Sequence, residues 1–172
     1  MKKITVYTDG GVSMKNGVGG WAAILVYPND KEVVMSGTFL GITNNQMEIW
    51  PCIEALSYIE EHENLNHVSV EIISDSQYVV NGSSEWLPRW IAKGWKTKTG
   101  PVKNQPLWAA MHTLLGKMKV KFTWVRGHSN NPYNERCDKL AVGAYTKVIE
   151  QQKLLNKTHL TNNESSVDSN NI

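Results

Sequence analysis

Two short runs of alternating apolar residues, separated by a hairpin and a helical stretch, constrain the fold of this chain more than any other feature. In residues 4–9, Ile4, Val6 and Thr8 fall on one side, and Thr5, Tyr7 and Asp9 on the other. In residues 68–75, Val68, Val70 and Ile72 face away from Ser69, Glu71, Ile73 and Asp75. A period of two makes each run a strand, the first ending at Asp9. Between them, Trp21 to Tyr27 reads as a buried strand, Pro28-Asn29-Asp30 as a turn, and Glu32 to Leu40 as the hairpin partner. The first three strands therefore form an antiparallel meander, with the glycine-rich stretch Gly10 to Gly20 as a loop. Residues 44–62 read as a helix opened by Thr43 or Asn44 as N-cap, with Glu48, Cys52, Ala55 and Ile59 on one face. A long helical crossover makes the fourth strand parallel to the first.

Short helices are expected at 76–82, 85–93 and 104–116, and a fifth strand at Lys119 to Arg126. The last helix covers about 133–152, with Leu140, Ala141, Ala144, Tyr145 and Val148 as its apolar stripe. The fold class is α/β: a five-stranded mixed sheet, three strands antiparallel and two parallel, flanked by helices. One domain spans 1–152, including a protrusion at about 84–103. The stretch 156–172 is rich in Asn, Ser and Thr and reads as a disordered polar tail.

With 172 residues, 41% of them hydrophobic, the chain is long enough for one domain with a real core. The N-terminus meets Asp9 too soon for a signal peptide. The longest apolar run, Trp21 to Tyr27, is far too short to span a membrane. Two cysteines, Cys52 and Cys137, do not make a disulfide framework. A monomer in a reducing cytoplasm, away from membranes, is the expectation.

The net charge of +2 conceals a division. From Trp86 to Asn134 there are nine basic residues, Arg89, Lys93, Lys96, Lys98, Lys103, Lys117, Lys119, Lys121 and Arg126, and no Asp or Glu. The rest of the chain holds nine Lys and Arg against all sixteen carboxylates. A basic half beside an acidic half suits an enzyme that pairs metal ions with a polyanion.

Four carboxylates stand out by position. Asp9 and Asp75 close two strands that lie side by side, Glu48 opens the helix after strand three, and Asp138 lies near the start of the last helix. Carboxylates that converge without Cys or His companions suit hard divalent ions such as Mg²⁺ or Mn²⁺.

The phrases around them resemble the ribonuclease H family, type 1 class. They are Tyr7-Thr8-Asp9-Gly10, Thr43-Asn44-Asn45-Gln46-Met47-Glu48, Asp75-Ser76-Gln77-Tyr78-Val79, Gly94-Trp95-Lys96-Thr97, Pro101-Val102-Lys103-Asn104, Trp124-Val125-Arg126-Gly127-His128, and Asn134 through Ala141. They occur in order over residues 3–145 and are jointly specific. The resemblance implies a ribonuclease H-like fold and an endonuclease that cuts the RNA strand of an RNA–DNA hybrid, leaving 5′-phosphate and 3′-hydroxyl ends. It implies that Asp9, Glu48, Asp75 and Asp138 hold two Mg²⁺ ions, with Mn²⁺ able to substitute, and that His128 assists catalysis by proton transfer or product release. Gly10, Gly11, Asn44 and Gln77 match positions that read the RNA strand through its 2′-hydroxyl groups. Asn45 matches a DNA-strand contact, and Thr43 and Asn104 a pocket for a DNA phosphate. Trp86, Trp90, Lys93, Lys96 and Lys98 match the basic protrusion that grips hybrids.

The chain departs from the pattern where Gly41 stands at a position that in many relatives is an arginine in that phosphate pocket, and Gln46 at one that is often basic. Weaker DNA-phosphate binding is the expected consequence. Trp50-Pro51 is unusual in a helix, because an interior proline removes a hydrogen bond. The helix is expected to kink there or to begin later, near Glu48, displacing Glu48 from the other carboxylates and altering metal preference. Two other functions compete: a non-catalytic hybrid-binding module, and another polynucleotidyl transferase of the same fold. His62, His67, His112 and His159 read as surface or packing residues.

Overall fold

The computed structural model describes residues 1–168, with side-chain surroundings through residue 163. Its five-stranded sheet has the order β3-β2-β1-β4-β7, built from β1 (Lys2–Ser13), β2 (Val18–Val26), β3 (Glu32–Leu40), β4 (Val68–Ser74) and β7 (Lys119–Trp124). β1 pairs antiparallel with β2, and β2 with β3. β1 pairs parallel with β4, and β4 with β7. This is the mixed sheet that the alternation and the crossover imply.

Helices cover both faces, and that explains why β2 is apolar throughout. Ala23 and Leu25 face a core shared with Ile4, Val6, Leu56 and Ile59 and, from α4 (Gln105–Leu115), with Trp108 and Met111. Their neighbours Ala22 and Ile24 face the other way, onto Cys137 and Ala141 of α5 (Pro132–Asp168). A strand buried on both sides has no polar face to show. Leu56 and Ile59 are fully buried, and truncating either to Ala would cost about 2–5 kcal/mol.

Helix α1 (Asn44–His62) settles two expectations. Thr43 is the N-cap: its Oγ1 accepts from the Gln46 backbone N–H at 3.3 Å, and the Thr43 N–H donates to Gln46 Oε1 at 3.0 Å. This capping box fixes the start at Asn44, so the helix does not begin later at Glu48. Pro51 lies inside the helix, which runs from Asn44 to His62.

Several strand boundaries also differ from expectation: β2 spans Val18–Val26 rather than Trp21 to Tyr27. β1 does not end at Asp9 but stays paired with β2 as far as Ser13 opposite Val18. The glycines that suggest a loop permit close packing instead: a Cβ on Gly20 would stand 2.2 Å from the Ala141 carbonyl oxygen. β7 stops at Trp124, two residues short of Arg126.

Helices α2 (Gln77–Asn81) and α3 (Leu87–Ala92) are joined by a π-helical turn, Gly82–Trp86, so the two helices expected at 76–82 and 85–93 form one continuous arm. A two-residue hairpin follows, β5 (Lys96–Thr97) with β6 (Gly100–Pro101), too short to carry a sequence signal. The last helix is longer than 133–152. It runs to Asp168, through much of the stretch that composition reads as disordered, and residues 153–163 are exposed. Local bonds hold it, such as Thr158 Oγ1 to the Leu154 carbonyl at 3.0 Å. Residues 169–172 of that stretch lie outside the described residues. No helix among the described residues is long and apolar enough to cross a membrane.

Candidate active site

The parallel register between β1 and β4 sets the position of the site. Its last pair is Tyr7 with Ile73, so Asp9 and Asp75 each follow two residues later, just past the end of the parallel pairing, where β4 stops at Ser74 and β1 continues paired only with β2. Asp9 Oδ1 accepts from the Gly10 N–H at 2.8 Å. Behind Asp75 the chain is pinned by Trp124 Nε1 donating to the Asp75 carbonyl and by the Val125 N–H donating to the Ser74 carbonyl, both at 3.0 Å.

α5 delivers Asp138. Asn131 caps the helix, its Oδ1 accepting from the N–H groups of Tyr133 at 3.1 Å and Asn134 at 3.3 Å, with Pro132 at the start. Asp9, Asp75 and Asp138 then line one depression with His128, Ser129, Asn131, Asn134 and Glu135. His128 is exposed in the loop before α5, with φ of 55°. Glu48 stands beside this depression. Its Oε2 accepts from Ser76 Oγ at 2.6 Å and its Oε1 from Asn44 Nδ2 at 3.2 Å.

Burial, and then the nearness of other carboxylates, raises the proton affinity of Asp9, Glu48 and Asp75. Asp9 is pushed up to about 8, chiefly by burial, then by the charges of Asp75 and Asp138, with the Gly10 N–H opposing. Burial also raises Asp75, with Asp138 adding to the effect and His128 opposing it. Glu48 is raised by burial and by Asp75, while Ser76 and Asn44 pull it down. Like charges in a desolvated pocket call for a cation or protons.

The donors suit an oxygen-loving cation. All four side chains offer carboxylate oxygens, and Asn134 Oδ1 at the same depression is buried with no hydrogen-bond donor. A buried carbonyl left unpartnered costs about 1–3 kcal/mol, so this oxygen fits a bound ion or its water. Among the described residues no three His, Cys, Asp or Glu side chains stand close enough together to hold an ion between them. The all-oxygen donor chemistry fits a hard divalent cation. Ser76 and Asn134 are the members that sequence reasoning missed. The signals were a serine directly after Asp75, placed to cap a helix, and an asparagine one turn before Asp138.

The residues expected to touch nucleic acid divide into groups. Gly11 has open space above it, whereas Gly10 is packed against the Met47 backbone. Asn44, Asn45 and Gln77 are exposed at the first turns of α1 and α2, near Glu48 and Asp75 in sequence and fold. Thr43 is exposed too, though its oxygen is engaged as the cap. Asn104 shares an apolar depression with Ile42 and Gln46, which flank Thr43 closely, and its Nδ2 donates to the Tyr78 hydroxyl at 3.1 Å.

Trp86, Trp90, Lys93, Lys96 and Lys98 come together, lining one groove with Arg89 and Thr97. The tryptophans are not free platforms. Trp86 packs on Tyr78 and Trp90 (ring centroids 6.1 and 5.9 Å), and Trp90 on Trp108 (5.3 Å). Both are half-buried, one edge in this aromatic stack and another in the groove. Trp95 packs against the core. Among the described residues no carboxylate lies within 4 Å of the Lys93, Lys96 or Lys98 ammonium, whereas Lys117 and Lys121 pair with Glu60 and Glu71.

The family profile for RNase H matches residues 1–146. The chain belongs to the ribonuclease H family. The ribonuclease H of Hahella chejuensis is 46% identical over 143 residues, covering 82% of this chain and 92% of that protein. The ribonuclease H of Treponema denticola is 40% identical over 158 residues, covering 85% and 99%. Among solved structures, LC9-RNase H1, described as a type 1 RNase H with the type 2 active-site motif, superposes with a TM-score of 0.74 at 29% identity, over 86% of this chain and 74% of that one. The RNase H1 of Halobacterium salinarum shares the fold, with a TM-score of 0.62 at 24% identity over 84% and 98%. Ribonuclease H membership brings with it a nuclease and a hydrolase, and the five-stranded sheet is the ribonuclease H sheet.

Proposed function

We propose that this chain is an endonuclease that hydrolyses the RNA strand of RNA–DNA hybrids with two divalent ions, leaving 5′-phosphate and 3′-hydroxyl ends. The observation that carries this reading is the meeting of Asp9, Asp75 and Asp138, from three separate elements, in one depression with Glu48 at its side. Family membership and the basic groove support it.

Asp9, Glu48, Asp75 and Asp138 would hold the ions. When bound, two such ions supply a water activated for attack and a stabilised leaving oxygen. The residues do the rest. Asn44 and Gln77, exposed beside the carboxylates, offer amides to 2′-hydroxyl groups of the RNA strand, and Gly11 leaves its backbone open to approach. The groove of Trp86, Trp90, Lys93, Lys96 and Lys98 receives the DNA strand, its ammonium groups meeting phosphates and its indole edges meeting sugars. Asn45 adds a contact to the DNA strand, and Thr43 and Asn104 flank a pocket for one DNA phosphate. Gly41 and Gln46 supply no charge there, so grip on that phosphate is weaker. His128, on an exposed loop at the rim, takes or delivers a proton as product leaves. We take the protein to act as a monomer in the cytoplasm; size-exclusion chromatography with light scattering tests the former.

The deciding experiment is incubation of end-labelled RNA–DNA, DNA–DNA and RNA–RNA duplexes with Mg²⁺, with Mn²⁺ and with EDTA. Metal-dependent cutting confined to the RNA of the hybrid is expected. Cutting of DNA would favour another polynucleotidyl transferase, and binding without cutting a non-catalytic module.

A further inference from the structure

Ser76 and Asn44 each donate to a different oxygen of Glu48. Ser76 is buried, with 6% of its surface exposed. Its Oγ accepts from the Val79 N–H at 3.2 Å as the N-cap of α2, and its own N–H donates to Ser74 Oγ at 3.0 Å. While the oxygen accepts the cap bond, its hydroxyl proton is donated to Glu48 Oε2 at 2.6 Å. That bond ties the first turns of α1 to the first turn of α2 across 28 residues of sequence.

Asn44 is exposed and directs Nδ2 to Glu48 Oε1 at 3.2 Å. An amide has two donors and a two-lone-pair acceptor. With one N–H on Glu48, the Asn44 Oδ1 and the second N–H remain available to a hydroxyl arriving from solvent. The same planar group can thus touch a carboxylate and a substrate hydroxyl together, and its orientation for one fixes its orientation for the other.

We propose that Ser76 and Asn44 are positioning residues that set the Glu48 carboxylate, and that Asn44 relays engagement of an RNA 2′-hydroxyl to that carboxylate. The second half rests on the hybrid-cleavage reading; the first half stands on the clamp alone. Selectivity for RNA would then act on turnover as well as on binding, since a hydroxyl that orients Asn44 also completes the setting of Glu48. A duplex without the 2′-hydroxyl would leave one side of the clamp free to swing.

The test uses the intact protein and the variants Asn44→Ala, Ser76→Ala and Ser76→Thr. Mn²⁺ binding to each free protein is followed by calorimetry. Steady-state cleavage is measured on hybrids carrying either 2′-hydroxyl or 2′-fluoro at single positions around the cut. Asn44→Ala disturbs no helix cap, so its fold serves as the control for Ser76→Ala, which loses the α2 cap as well. The expected results are severalfold weaker Mn²⁺ binding in Asn44→Ala and Ser76→Ala, and recovery in Ser76→Thr. Asn44→Ala is also expected to lose about tenfold in kcat, the size of one charge-assisted hydrogen bond. The 2′-fluoro substitution at the contacted nucleotide should lower kcat for the unmodified protein but not for Asn44→Ala, a non-additive cycle. Unchanged Mn²⁺ affinity in both alanine variants would overturn the clamp. Additive effects, with Asn44→Ala changing KM alone, would overturn the relay. Failure of the unmodified protein to cut any hybrid would remove the functional reading and the relay with it, while the Mn²⁺ titrations would still decide the clamp.

Discussion

The Met47 carbonyl lies against Gly10, so close that a Cβ on that glycine would stand 1.9 Å from the oxygen. Met47 is four residues before Pro51, which has no N–H to give it. The oxygen freed by the proline thus faces the strand residue next to Asp9, and the contact brings α1 down onto β1 beside two of the carboxylates. Gly10→Ala must push the two elements apart. It is expected to destabilise the fold by about 3 kcal/mol or more, measured by urea denaturation, with activity falling in parallel and added metal failing to restore it.

Pro51→Ala tests the other half of that relationship. An alanine returns an N–H toward the Met47 carbonyl, and the stability gain should be about 1 kcal/mol after the looser unfolded chain is counted. From sequence alone, the proline is expected to displace Glu48 and alter metal preference. The clamp from Ser76 and Asn44 holds Glu48 from outside the proline's own turn, so the ratio of Mg²⁺- to Mn²⁺-supported activity should stay within about twofold. A larger change would mean that the proline, rather than the clamp, sets the carboxylate.

Asp9 predicts a pH dependence with a definite sign. Its proton affinity is raised to about 8 from an ordinary 3.8, so between those values the folded, metal-free protein keeps a proton that the unfolded chain has released. Stability linked to this group is therefore fully present below about pH 4 and declines as pH rises toward 8. Thermal unfolding in EDTA should show that decline. Asp9→Asn should flatten it and raise stability at pH 8 by an amount on the order of a few kcal/mol. Divalent ions compete with the same proton, so their affinity should climb over the same interval. Asp9→Asn and Asp75→Asn should both abolish cleavage with hybrid binding retained; equal loss of binding would make these residues structural.

Much of this was legible because burial leaves a period in the sequence. Ile4, Val6 and Thr8, and Val68, Val70 and Ile72, alternate because one side of each strand meets α1 and α4, and the crossover between them forces the parallel register that sets Asp9 beside Asp75. Thr43 or Asn44 announces a helix by capping chemistry, though only the structure gives the cap to Thr43 and pairs it with Gln46. What stayed hidden depends on contacts between distant segments. Gly19 and Gly20 look like a loop until Met47 and Ala141 are seen pressing on them. Ser76 resembles an ordinary cap until its proton is followed to Glu48. The helix beyond residue 152 had no apolar stripe to reveal it, since its side chains through residue 163 are largely exposed.

The groove of Lys93, Lys96 and Lys98 yields the last prediction. The three ammonium groups sit with Trp86 and Trp90 around one groove, without carboxylate partners within 4 Å among the described residues. They lie on an arm separate from the carboxylate pocket, so their charge bears on binding rather than on the chemical step. Replacing all three with Gln should raise KM and leave kcat within about twofold. For every phosphate that a lysine no longer neutralises, the plot of log affinity against log salt should flatten by about 0.7–0.9. Binding isotherms at several salt concentrations measure this directly. A slope equal to that of the unmodified protein would mean that the arm does not touch the hybrid, and that Trp86 and Trp90 serve only the aromatic stack over Trp108.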